Sequence, residues 1–329
     1  MIRFLAFTIG ILSTIAATPA WADRDTPHYT SLTVFGDSLV DAGNLYIANG
    51  GTRPDPSLGY FQNRFTNGYD YTDLLSLDLF GVPTTPSLMG GGNFAFGGAR
   101  IVDTGDVIPD LEAQISAFQS SSRGIDPDGL YIVNFGANDV FGAKGVFGAE
   151  GAIGPYPDIS SYLYAAADQY VSGVQTLNNL GARNILMTDF PLWGDPLTTE
   201  ANGYLSAALS GLSLDSDTDL FFYSLSDFNR RVLTEPASFG LPPQRIDTNC
   251  ISEGAQATGC TGIFSFDGIH PTAAIQAAGY REMNQLFGLT AVAAVPEADT
   301  WAMLIVGFGV IGATMRRRSR SAPQTAIRV

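Results

Sequence analysis

Four short segments of this chain carry residue types that can break an acyl bond. The first reads Phe35-Gly36-Asp37-Ser38-Leu39-Val40-Asp41-Ala42-Gly43-Asn44. A serine where a strand turns toward a helix can hold its hydroxyl in a cleft, with helix N–H dipoles behind it. The second, Asn93-Phe94-Ala95-Phe96-Gly97-Gly98-Ala99, has paired glycines that let a backbone N–H approach a ligand closely. The third, Gly136-Ala137-Asn138-Asp139, offers a side-chain amide donor. The fourth is Phe266-Asp267-Gly268-Ile269-His270-Pro271-Thr272. An acid three residues before a histidine can hold the imidazole from behind. Together they supply a nucleophile (Ser38), a base (His270) and an orienting acid (Asp267). The N–H groups of Ser38 and Gly98 and the Asn138 amide would bind an oxyanion. Alone, each segment has a plainer reading: Ser38 as a helix cap, the glycines as a turn, Asn138 as a loop-shaping residue. Their joint presence and order favour the chemistry.

The residue census narrows the alternatives. The only histidines are His28 and His270, and the only cysteines are Cys250 and Cys260. No HExxH or CxxC motif occurs, so the usual zinc enzymes are excluded. Asp215, Asp217 and Asp219 alternate like the start of a calcium loop. Leu220, Phe221 and Phe222 then stand where a glycine is needed, which favours a polar loop entering a strand. Neither a Gly-x-Ser-x-Gly elbow nor a Walker A loop is present. The chemistry requires no metal and no cofactor. The net charge of −15 speaks against a nucleic-acid partner.

Positioning these segments requires strands that end in loops. Residues 31–35, 93–96, 130–135, 184–188 and 219–225 read as strands. The run at 130–135 is continuously apolar, as a strand buried on both faces would be. Helical spacing covers 70–80, 108–118, 159–180, 226–233 and 272–287, with Gly81 and Gly181 as stops. This alternation predicts an α/β domain with a parallel sheet and helices on both faces. Ligands then sit beyond the carboxyl ends of the strands, where the four segments fall. The loops at 44–65 and 141–158 are long, with Tyr46, Tyr60, Phe61, Phe141 and Phe147 in them. Those rings could bind acyl chains, stack on sugars, or merely pin the loops.

The four segments are those by which the chain resembles the GDSL, or SGNH, hydrolase family. The first block is complete as GDSLVDAGN, and Asn63-Arg64-Phe65-Thr66-Asn67-Gly68 followed by Asp73-Leu74-Leu75 is similar to its esterase and lipase branch. The resemblance implies a three-layer α/β/α sandwich, flavodoxin-like, around a five-stranded parallel sheet. It implies Ser38, His270 and Asp267 as catalytic residues and Ser38, Gly98 and Asn138 as the oxyanion hole. The expected reaction is hydrolysis of acyl esters, with a small ester, a lipid or an acetylated glycan as substrate. An O-acetyl esterase of extracellular polysaccharide and a non-catalytic surface matrix protein are the alternatives.

Both ends read as address signals flanking a hydrolase domain at 23–294. Residues 1–22 have an early Arg3, an apolar middle and Ala20-Trp21-Ala22, the pattern of a secretory leader. Export would allow Cys250 and Cys260 to close a short disulfide loop, the alternative being two free thiols. At 295–329, Val295-Pro296-Glu297-Ala298 precedes an apolar run at 301–315 and the cluster Arg316-Arg317-Arg318-Ser319-Arg320. A helix of that run is only about 22 Å long, marginal for a bilayer. The tail resembles the PEP-CTERM sorting signal of Gram-negative bacteria, with Ala298 where a second proline is usual. This implies export and sorting machinery as partners, a transient anchor in the cell envelope, and release to the cell surface or beyond. Intact-mass measurement on secreted material should therefore give a chain starting near Asp23 and ending near Val295. Released protein that still carries Arg316 to Arg320 would contradict the sorting reading.

Overall fold

The computed structural model describes residues 28–146 and 153–290. The leader at 1–22, the tail at 295–329 with its apolar run, and Phe147 lie outside the described residues. Among the described residues no helix is long and apolar enough to cross a membrane.

Four parallel strands form the central sheet in the order β1 (Leu32–Gly36), β2 (Leu130–Asn134), β3 (Asn184–Thr188) and β4 (Asp219–Tyr223). Alternation along β2 shows how the sheet divides its side chains. Leu130 and Ile132 face one apolar layer, and Tyr131 and Val133 face the other. The first layer is closed by α2 (Tyr71–Phe80), α7 (Leu225–Thr234) and α8 (Ala273–Phe287). The second is closed by α3 (Leu111–Ser120), α5 (Ile159–Leu180) and α6 (Pro196–Leu209). The result is the expected α/β/α sandwich, with β1, β2 and β3 buried on both faces and β4 a partly exposed edge.

The sheet has one strand fewer than expected. Residues 92–96 do run beside β1: Val34 N–H donates to Gly92 O at 2.9 Å, and Phe94 N–H to Val34 O at 2.7 Å. Only a single bridge between Val34 and Asn93 results. The cause is side-chain competition for the backbone. Gln114 Oε1 takes Gly36 N–H at 2.9 Å, the donor that the next rung would offer to Phe94 O. On the outer side Asn44 Nδ2 donates to the carbonyls of Asn93 (2.8 Å) and Ala95 (2.9 Å). The Asn44 side chain thus occupies the edge that another strand would use.

Of two further short helices, α1 (Asn44–Ala48) starts at the end of the first segment, and α4 (Ala137–Lys144) carries Asn138 and Asp139 of the third. Helix ends follow local chemistry. Asp70 caps α2 by accepting from Thr72 N–H at 2.8 Å, and Asp158 caps α5 through Ser161 N–H at 2.7 Å. Asp215 and Asp217 bind Arg183 at 2.9 and 3.1 Å, at the entrance to β4.

A second, parallel pair, β5 (Arg245–Asn249) and β6 (Ile263–Ser265), precedes α8. Cys250 and Cys260 are disulfide-bonded between its strands and buried against Ile263 and Phe266. Residues separated by ten positions close a short loop, worth about 3 kcal/mol in the chain-entropy account. The double variant Cys250→Ser/Cys260→Ser should lower the Tm by several degrees in a scanning calorimeter. An unchanged Tm would show that the small sheet holds itself.

Candidate active site

β1 delivers Ser38. A Cβ on Gly36 would meet Val40 Cγ2 at 2.4 Å and Asn134 O at 2.7 Å, so only glycine lets the chain leave the sheet here. Asp37 N–H then donates to Asn134 O at 3.2 Å, and Asp37 Oδ1 accepts from Leu39 N–H at 2.9 Å. That turn presents the Ser38 side chain. Ser38 N–H donates to no acceptor among the described residues. Next, the Asp41 carboxylate collects Gly43 N–H (2.8 Å), Asn44 N–H (2.6 Å) and Leu45 N–H (3.1 Å). It also takes Gly97 N–H at 2.8 Å, tying the first segment to the second.

Gly98 follows with φ of +92°, a conformation that side chains other than glycine resist. It is exposed, and its N–H, like that of Ser38, has no acceptor among the described residues. Asn138 lies in the first turn of α4, and its Nδ2 donates to Ala99 O at 2.9 Å. One amide hydrogen thus anchors Asn138 beside Gly98, leaving the second for another acceptor. Asp139, fully buried, accepts from Ile101 N–H at 3.0 Å and from the Tyr162 hydroxyl at 3.0 Å. It ties the second segment to the third.

The fourth segment closes the set. His270 Nε2 lies 2.7 Å from Ser38 Oγ, and His270 Nδ1 lies 2.6 Å from Asp267 Oδ2. Asp267 Oδ1 accepts the backbone N–H groups of Ile269 (2.9 Å) and His270 (2.8 Å). Burial would raise the Asp267 pKa, but the His270 hydrogen bond and charge and these two N–H groups outweigh it, lowering it to about 2. The acid is therefore ionised at neutral pH. Asp37, beside the serine, behaves in the opposite way. Full burial, with Oδ2 unpartnered and Asp139 and Asp41 nearby, pushes its carboxyl up to about 7 against the one N–H from Leu39.

Two features of the site were not legible as chemistry. Tyr60, an aromatic of the first long loop, donates its hydroxyl to Asp267 Oδ2 at 2.7 Å. Its ring packs against Phe266 with centroids 5.0 Å apart. The segment 63–68 brackets the histidine turn. The Phe65 ring lies 5.0 Å from the imidazole, Thr66 Oγ1 donates to Pro271 O at 2.8 Å, and Asn67 Oδ1 accepts from Ala273 N–H at 2.8 Å. Of the other loop rings, Phe61 packs edge-on to Tyr69 at 4.9 Å, and Phe141 lines the cavity beside Ser38. His28 is exposed at the start of the described chain.

A hydrogen-bonded Ser–His–Asp chain on an α/β/α sandwich, at the carboxyl ends of parallel strands, is the layout of a serine hydrolase. The family described as GDSL-like Lipase/Acylhydrolase matches residues 32–287. The chain belongs to that family. It is also 30% identical over 132 residues to a phosphatidylcholine-sterol acyltransferase of Aeromonas hydrophila, a match covering 40% of this chain and 38% of that relative's length. Similar solved structures include a family two carbohydrate esterase from Clostridium thermocellum in complex with cellohexaose. It has 12% identity and a TM-score of 0.40, covering 79% of this chain and 66% of that one. An acetyl xylan esterase from Butyrivibrio proteoclasticus has 12% identity and a TM-score of 0.37, covering 80% and 66%.

Tyr60 touches the acid and does not line the cavity beside Ser38. Tyr60→Phe keeps the ring and deletes one hydrogen bond to a charged group, worth about 1.5 kcal/mol or somewhat more. It should lower kcat roughly tenfold with KM near its starting value, and lower the Tm by a few degrees. A lower Tm with unchanged kcat would assign Tyr60 to loop packing alone.

Proposed function

We propose that the chain is an exported serine esterase that hydrolyses carboxylic acyl esters through an acyl-enzyme. The observation that carries this reading is the pair of short contacts from Ser38 Oγ to His270 Nε2 and from His270 Nδ1 to Asp267. His270 Nε2 takes the Ser38 proton as Oγ bonds to the ester carbonyl carbon. Asp267 fixes the ring tautomer and stabilises the imidazolium that forms. The oxyanion is met by Ser38 N–H, Gly98 N–H and the second Asn138 amide hydrogen. Collapse of the tetrahedral intermediate breaks the C–O bond to the alcohol, which leaves with the proton from His270. Water, deprotonated by His270, then attacks the acyl-enzyme, and Ser38 recovers its proton as the acid departs. Export rests on the leader at 1–22 and on the tail at 295–329, whose motif supports sorting to the cell envelope and surface.

A fluorophosphonate probe should label Ser38. Ser38→Ala should abolish labelling and ester hydrolysis while the protein stays folded. A chain with a merely structural role at the cell surface would take no label. Asn138→Ala tests the oxyanion donor. It should cost about 10²–10³ in kcat with KM nearly unchanged, because the donor acts on charge that develops only in the transition state. Near-normal kcat in a folded Asn138→Ala protein would remove Asn138 from the site.

A further inference from the structure

The nucleophile lines a cavity of about 300 Å³. Ser38, Ala137 and His270 line one part of it, and neither Gly98 nor Asn138 does. Elsewhere its walls come from α7 and α8. Ile275, Gly279 and Met283 line it at four-residue spacing, one face of α8, opposite Leu225 and Phe228 of α7. That face extends about 12 Å along the helix axis. Ile275, Met283 and Phe228 are each 2% exposed or less. Trp193 and Ile246 also line the cavity, yet are 43% and 64% exposed, which marks its mouth.

The polar groups of the lining are largely spent on the protein itself. The Tyr71 hydroxyl donates to Asn134 Oδ1, Gln276 Oε1 accepts from Tyr71 N–H, and Ser265 Oγ donates to His270 O. One buried polar atom of the lining, Asn134 Nδ2, is unpartnered, and it sits on the last residue of β2, near the Ser38 loop. A sugar would find few hydroxyl partners here, and an acetyl group would leave most of the space unfilled. An apolar chain bonded to Ser38 through its carbonyl would fill it.

We infer that this cavity takes the acyl chain of the substrate, that the preferred ester carries a medium-length chain of about octanoyl size, and that Gly279 sets the length. The inference rests on Ser38 being the acylated residue. Glycine is costly inside a helix, and Gly279 has an ordinary helical backbone. A Cβ built at 279 would lie 3.4 Å from Phe228 Cε1 and Cζ. That is van der Waals contact, so any side chain at 279 would close the cavity against Phe228. Each methylene buried in the cavity should raise kcat/KM by up to about fourfold, until the chain meets Phe228 and Met283.

The test is a p-nitrophenyl ester series from acetate to palmitate, run on the mature protein and on Gly279→Ala and Gly279→Leu. In the parent protein kcat/KM should rise at least tenfold from acetate to octanoate and fall again by palmitate. Gly279→Ala should move the optimum to a shorter chain. Gly279→Leu should flatten the series, so that octanoate loses its advantage over acetate. If Gly279→Leu fails to fold, the parent series and Gly279→Ala still decide. A Ser38-labelled enzyme that prefers acetate, or an optimum unmoved by Gly279→Ala, would overturn the inference and leave the esterase reading intact. A protein that takes no fluorophosphonate label and hydrolyses no ester would sink the esterase reading instead.

Discussion

The Asp41 carboxylate holds four backbone N–H groups from two loops, and the geometry around Ser38 depends on it. Those loops are rich in Gly43, Gly97 and Gly98, which lose more freedom on folding than any other residue. Something must fix them, and their own side chains cannot. A buried carboxylate can, because its two oxygens accept several donors at once. Burial is the larger influence on Asp41 and pushes its pKa up to about 6, against the pull of the four N–H groups. At neutral pH the group still carries mostly negative charge, so the N–H groups around it remain well paid in electrostatic terms. Asp139 repeats the device between the second and third segments. The Ser38 and Gly98 N–H groups are the ones these carboxylates leave unclaimed.

His270 has to meet Ser38 across 232 positions of sequence, and its turn is held from three sides. Behind it, the small sheet and the Cys250–Cys260 disulfide pack on Phe266. Beside it, Thr66 and Asn67 grip the entry to α8. Beneath it, Asp267 accepts two backbone N–H groups on one oxygen, and His270 Nδ1 and the Tyr60 hydroxyl on the other. Such saturation keeps the acid ionised and leaves Nδ1 as the natural proton-bearing nitrogen. Nε2 is then free to accept from Ser38.

Much of the frame was readable because its causes are local. β2 announces itself as a continuous apolar run, and Asp158 and Gly181 bound α5 where sequence spacing puts it. The four segments are likewise short and contiguous. What escaped depends on distant partners. Tyr60 meets Asp267 across 207 positions, and nothing near Tyr60 marks it out from other loop aromatics. β5 is polar and mostly exposed, so it lacks the apolar alternation that betrays a strand. The fifth strand failed for a similar reason, since Gln114, far along the chain, takes the Gly36 N–H that its ladder needs. α6 was readable in principle, for Asp195 caps it and Pro196 opens it.

The site divides its work between two kinds of structure. Charge is handled by backbone and short polar side chains at loop turns, where donors can be aimed within tenths of an ångström and fixed by buried acids. Apolar surface is handled by α7 and α8, which carry none of the proposed oxyanion donors. Ser38 lies where the two meet. The reacting centre is therefore constrained by contacts that few substitutions can improve, whereas the cavity wall, represented by Gly279, Phe228 and Met283, can vary one side chain at a time. On the proposed reading, the loops set the reaction and two helices set the choice of ester.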